Sequence, residues 1–214
     1  MTAILKVDTI QDTSGNNIIN ENANTITVGA SGDTVDIPSG ATLDATGATI
    51  TGITQGITQA DTFRLSSDLS MSSSGLTKIT ANLERDDTSG YGKIGTGMTN
   101  SSGDFSFPET GIYYIEASGT VFGNGIGSDS NYQNVAIYTS TNSGSTYTHR
   151  ANAPVALAAG SNYNNTITHC LFDVTDISTH RVAFYQDCHQ SGVQLKGNSS
   201  YNHTHFNFIR LGDT

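Results

Sequence analysis

The stretch GDFSFPETGIYYIEASGTVF, residues 103–122, decides the fold. Phe105 anchors the end of one strand, Pro108 and Gly111 make a turn, and Tyr113 opens the next core strand, in the spacing G-x-F-x-x-P-x-x-G-x-Y. Outward from it, strand-sized runs separated by turn signals extend from about Asp61 to the C-terminus. Expected strands cover 62–70, 76–85, 91–97, 104–107, 111–122, 132–140, 146–157, 165–174, 181–188, 193–196 and 203–211. Turn residues fall between them at Asp87-Thr88-Ser89-Gly90, Ser101-Ser102-Gly103-Asp104, Asn142-Ser143-Gly144 and Ser191-Gly192. No amphipathic helix pattern interrupts the series. An all-β antiparallel sandwich of about ten strands is therefore expected over 61–214.

The first third of the chain has a different texture. All eight Phe and nine Tyr fall between Phe63 and Phe208, and residues 1–60 contain no aromatic side chain. Residues 4–19 alternate through Leu5, Val7 and Ile10, turn at Ser14-Gly15-Asn16, and resume at Ile18 and Ile19, which reads as a short hairpin or a hooked strand. Beyond it, short apolar pieces (Ile26/Val28, Val35/Ile37, Leu43, Ile50, Ile53, Ile57) are punctuated by Gly29, Gly32, Gly40, Gly47, Gly52 and Gly56. The glycine spacing is too irregular for a single-chain β-helix. Thin apolar stripes among small residues find cover only against copies of themselves, so three chains about a shared axis are expected. A flexible Gly/Ser/Thr linker is the alternative, and the recurring Ile and Val oppose it. The expected division is an attachment segment at 1–24, a trimeric β-rich shaft at 25–60 and a head at 61–214.

Net charge is −10, with only nine Lys and Arg, and these are scattered. Nucleic-acid binding, which needs a basic patch, is not expected. No run of 18 apolar residues occurs, and Asp8 and Asp12 interrupt the N-terminus where a signal peptide needs a longer apolar stretch. Neither membrane insertion nor export by such a peptide is expected. Two cysteines, Cys170 and Cys188, are too few for a disulfide framework.

The spacing at Gly103, Phe105, Pro108, Gly111 and Tyr113 resembles the signature of the globular head of the complement q subcomponent, within the tumour necrosis factor superfamily of trimeric jelly rolls. VAIYTSTNSGSTYT at 135–148 resembles that family's central hairpin, and HFNFIRLG at 205–212 its aromatic-rich last strand. The resemblance covers roughly 62–214 and implies a jelly-roll head and a homotrimer. No collagen-like G-x-y repeat precedes it. Residues 5–43, LKVDTIQDTSGNNIINENANTITVGASGDTVDIPSGATL, are similar to the opening of fibre and appendage proteins of tailed bacteriophages, particularly those of marine bacteria and cyanobacteria. That similarity implies a virion protein, assembled in the host cytoplasm and joined to other virion proteins through its N-terminal segment. Its head would contact a host-surface glycan or protein. The alternative is a capsid or tail decoration protein with the same fold and no receptor.

The sequence offers little catalytic chemistry. G-x-S-x-G, H-E-x-x-H, C-x-x-C and phosphate-loop patterns are missing, and Glu84, Asp86 and Asp87 beside a turn read as a solvated loop. An enzyme is not expected, nor a cofactor. His203 and His205 form an H-x-H pair whose side chains share a face if both lie on a strand. Around a threefold axis, six such imidazoles could hold a metal ion; the alternative is two polar positions near the mouth of the last strand. Asp129, Asp173 and Asp176 are available for calcium but lack ligand spacing. Loop tyrosines at 91, 132, 147, 163 and 201 beside Asn and Ser form an adaptable recognition mixture. Tyr132, Tyr163 and Tyr201 are the expected binding residues.

Overall fold

Strict alternation along residues 111–123 buries Tyr113, Ile115, Ala117 and Val121 while their neighbours stay half-exposed, the period of two that a strand between core and surface requires. The computed structural model describes residues 9–11, 13–14, 17–22, 25–29, 31–47 and 56–214. The chain divides into two compact units, Met1–Ile53 and Thr54–Thr214. Among the described residues there is no helix.

In the first unit, β1 (Thr9–Gln11), β2 (Asn17–Asn22) and β3 (Thr25–Val28) form an antiparallel sheet in that order. Ile10 pairs with Ile19 and Ile19 with Val28, so apolar residues line up across the three strands. Residues 33–38 and 41–45 run outside any sheet between turns at Gly32, Gly40 and Gly47, all with positive φ. Ile26, Val28, Val35, Ile37 and Leu43 are exposed in the single chain, Ile26 at 68% and Leu43 at 69%. Residues 1–8, most of the expected turn at 14–16, and Ile50 and Ile53 lie outside the described residues.

The second unit begins with β4 (Ala60–Leu65), β5 (Leu69–Ser70), β6 (Thr77–Lys78), β7 (Leu83–Arg85), β8 (Thr99–Ser101) and β9 (Asp104–Ser106). It continues with β10 (Gly111–Gly123), β11 (Ser130–Ser140), β12 (Thr148–Asn152), β13 (Val155–Leu157), β14 (Tyr163–Val174), β15 (Arg181–Cys188), β16 (Val193–Leu195) and β17 (His205–Gly212). One sheet runs β5-β16-β10-β17-β4-β7 with β14 on the other edge of β10; the second runs β12-β11-β15-β9-β8, with β13 on β11 and β6 on β15. All these ladders are antiparallel. Each sheet has seven strands because several expected runs are interrupted. The 76–85 run breaks before Asn82, whose φ is 60°, and 146–157 breaks at Pro154, which has no N–H for the ladder. Residues 91–97 are not a strand. Ile94 makes one bridge to Ala60, and Lys93 Nζ donates to the carbonyls of Gly95 and Thr96, which curls the segment on itself.

The core lies between the sheets. Phe105 is fully buried against Phe63, Phe184 and Phe208, at centroid distances of 5.0, 5.5 and 5.2 Å. Buried Tyr113 meets Phe107 at a tilt, with 4.7 Å between centroids, and donates its hydroxyl to the carbonyl of Glu109, the residue after Pro108, at 3.0 Å; burial pushes its phenol up to about 12. Gly111 has φ of 144°, and a Cβ there would stand 2.5 Å from the Gly212 carbonyl oxygen. Gly111→Val should therefore force apart the first residues of β10 and the end of β17. We expect a lower midpoint in a thermal melt, and an unchanged melt would show that this turn tolerates a side chain.

Candidate binding site

The ladders sort the loops into two ends. Gly111 pairs with Val174, Ile112 with Gly212 and Ala60 with Ile209 at the end where the chain enters the sandwich. Phe122 pairs with Tyr163, Gly123 with Val193 and Arg64 with His205 at the other. The thirteen residues of β10, at about 3.3 Å each, separate the two ends by roughly 40 Å. Loops 66–68, 124–129, 158–162, 189–192 and 196–204 gather at the end away from Ala60.

Loop 196–204 is held from beneath. Arg64, with no exposed side-chain surface, places Nε 2.7 Å from Glu84 Oε1 and Nη1 2.7 Å from Asp86 Oδ1, and its Nη2 donates to the Ser199 carbonyl. Asp86 in turn accepts from Asn202 Nδ2 at 2.7 Å. Asn198 N–H donates to the Leu65 carbonyl at 2.8 Å, and Gly197 N–H to Asp68 Oδ1 at 3.0 Å. Asp86 is buried, so the reading of 84–87 as a wholly solvated loop is corrected: the Arg64 guanidinium draws Asp86 inward, and only Asp87 remains largely in solvent.

Above this support lies a shallow, open depression of about 690 Å³ lined by Ser67, Asp68, Tyr163, Lys196, Asn198, Tyr201 and His203, among others. Tyr163 is 61% exposed and rests on Phe122 at 4.5 Å between centroids, while exposed Tyr201 meets His203 edge-on at 4.9 Å. Lys196 pairs with Asp68 and lies 5.3 Å over the Phe122 ring. Burial opposes ionisation of Asp68, but the Lys196 hydrogen bond, the Gly197 N–H and the charges of Lys196 and His203 together hold its carboxyl below the ordinary value.

Two of the three expected binding tyrosines thus share one depression. Tyr132 does not line it; it stands on β11 of the other sheet, 5.9 Å from the His189 ring. Tyr147 is turned into a cluster, donating to Asp104 beside Lys78, and burial with that hydrogen bond raises its phenol pKa. Nothing local in the sequence marks Asn198, Lys196 and Asp68 as sharing a depression with Tyr163.

His203 and His205 separate in role. β17 begins at His205, so His203 lies before the strand and lines the depression. His205 sits opposite Arg64 and Ser118, with Nδ1 buried and unpartnered among the described residues. No group of three or more His, Cys, Asp or Glu able to hold a metal occurs among the described residues. A cage would need the pair from several chains. The carboxylates available for calcium, Asp129, Asp173 and Asp176, do not come together. Asp129 holds Ala159 N–H at 2.8 Å in the loop following β10, whereas Asp173 lies opposite Ile112 at the other end, where Asp176 caps the Ser178 turn at 2.8 Å. Cys170 and Cys188 are free and lie in different sheets.

No family model matches the sequence, and no curated protein matches it. Among solved structures, murine APRIL at pH 5.0 is similar with a TM-score of 0.51 and 10% identity, over 72% of this chain and 98% of that one. Over that stretch the chain shares a jelly-roll fold with murine APRIL. Eiger TNF from S. frugiperda (TM-score 0.48, 12% identity, 72% of this chain and 93% of that one) is also similar. So is the PRD1 vertex protein P5 (0.46, 15%, 74% and 100%). At such identities the likeness extends to the fold of the jelly roll and no further.

Proposed function

We propose that the chain is a virion structural protein, a homotrimeric phage fibre joined to the particle through residues 1–24, whose jelly-roll head makes the contact with the host surface. One observation carries the trimer: the outer face of β14, β10 and β17 leaves Ile167, Leu171 and Leu211 exposed, Leu171 at 63%, beside half-buried Ile112, Tyr114 and Ile209. Part of the polar lining of that face is already paired. Tyr114 donates to Glu116 at 2.9 Å, Asn207 Nδ2 donates to the second Glu116 oxygen at 2.9 Å, and Thr62 donates to Asn207 at 2.8 Å. Covering its apolar residues removes them from water, about 1.5–3 kcal/mol for each Ile or Leu fully covered. Exposed Ile26, Val28, Val35, Ile37 and Leu43 make the same demand in the first unit. Copies of the same chain meet both demands at once. The virion assignment is supported by the similarity of residues 5–43 to phage fibre openings, and the attachment role by the gathering of loops opposite the end where the chain enters the jelly roll.

Light scattering on the full chain should give three times 22.5 kDa, and Leu171→Glu should shift the mass downward. A mass of 22.5 kDa for the native chain would end the trimer reading. The trimer should also slow adsorption of the parent virus to susceptible cells. If it does not, and virions lacking the chain adsorb normally but lose physical robustness, the protein is a decoration protein instead.

A further inference from the structure

We infer that the depression between Tyr163 and Tyr201 is a binding site for neutral saccharide. The inference rests on the attachment reading above and names the class of receptor that reading would take. Four features of the site point to this chemistry.

The first is the pair of exposed rings. A pyranose presents one face of C–H groups, and a phenol ring lying open to solvent is a flat apolar partner for it. Tyr163 is backed by Phe122 and Tyr201 by His203, so both rings are held before any ligand arrives. Second, the Ser67 hydroxyl, the Asn198 Nδ2, the His203 ring nitrogens and the two phenol hydroxyls make no hydrogen bond to the described residues. Hydroxyl, amide and imidazole groups offer both donors and acceptors, which suits sugar hydroxyls that do the same.

Third, the charges close on themselves. Lys196 is paired with Asp68, whose other oxygen takes the Gly197 N–H, and Arg64 below is matched by Glu84 and Asp86. Neither Lys196 nor Arg64 is left unpaired to balance a sulfate, phosphate or uronate, and the chain's net charge of −10 opposes polyanions further. Fourth, the site is built to keep its shape. A Cβ on Gly197 would stand 2.2 Å from the Ser67 carbonyl oxygen, so loops 66–68 and 196–204 touch backbone to backbone at the floor. The depression has a volume within the roughly 300–1,000 Å³ of small-molecule sites, yet it is open. An open trough admits an internal unit of a polysaccharide, where a closed cavity takes only a free sugar or a chain end.

The test uses the full chain. Fluorescently labelled protein is applied to an array of gluco-, galacto- and manno-oligosaccharides with sulfated and uronic-acid oligosaccharides alongside, and hits are titrated in solution by tyrosine emission, which no Trp obscures. Binding to a neutral oligosaccharide is expected, weakened at least tenfold by Tyr163→Ala or Tyr201→Ala, largely restored by Phe at either position, and unchanged by Tyr132→Ala. Melting curves of each variant report folding separately. Binding by both Ala variants as tight as that of the unsubstituted chain overturns the site, and preference for the anionic sugars overturns the class. If no array sugar binds while the trimer still blocks virus adsorption, the saccharide inference fails and attachment stands. If it neither binds nor blocks adsorption, both fail.

Discussion

Replacing Phe105 with alanine is expected to lower the stability of the jelly roll by about 3–5 kcal/mol, against about 5–15 kcal/mol for a typical domain. The ring has no exposed surface and touches Phe63, Phe184 and Phe208, which come from both sheets. Its removal leaves a cavity that neither sheet can collapse into, because Phe105 is pinned in register between Asn100 and Val182. Phe105→Leu keeps most of the volume and should cost clearly less. Urea unfolding at equal chain concentrations is the measurement, since the stability of an oligomer depends on concentration. A loss below about 1 kcal/mol for the alanine variant would mean that the core is not organised around this ring.

The same stretch shows what a sequence makes legible. Period-two alternation from Gly111 onward, and the aromatic spacing at Phe105 and Tyr113, are local properties, and local properties announce a buried strand wherever a sheet forms. The all-β class and the antiparallel sandwich were readable on that basis. Where strands break was less so, because a run such as 91–97 has strand-like composition and is curled by Lys93 closing on the carbonyls of Gly95 and Thr96. Tyr163 and Tyr201 could be named as loop tyrosines, but their meeting across one depression depends on the pairing of β14 with β10 and on loop 196–204 folding back. His203 and His205 look like one ligand pair in sequence and serve two places because the strand starts at His205. Arg64 was illegible for a related reason. In a strand reading TFRLS it occupies an outward position, and only the arrival of β7 and of Ser199, 135 residues away, buries it.

That burial makes Arg64→Met the second substitution of large effect. Methionine fills much of the volume of the arginine stem, so packing changes little and the result isolates the charge. Asp86, with 2% of its side chain exposed, would lose its guanidinium partner and keep only Asn202, and a buried charge stripped of its counter-charge costs about 3–5 kcal/mol. Arg64→Lys should fall between, because one ammonium cannot serve Glu84, Asp86 and the Ser199 carbonyl with the fixed fork that arginine offers. Adding Asp86→Asn to Arg64→Met removes the orphaned charge and should recover part of the loss, a coupling that a double-mutant cycle measures directly. If the network exists to shape the depression as well as to stabilise the fold, Arg64→Met should also speed amide exchange across 197–203 more than in β10. Uniform loss of protection throughout the head would instead mean that Arg64 supports the sandwich as a whole and leaves the loop to be held by Asp68 and Leu65.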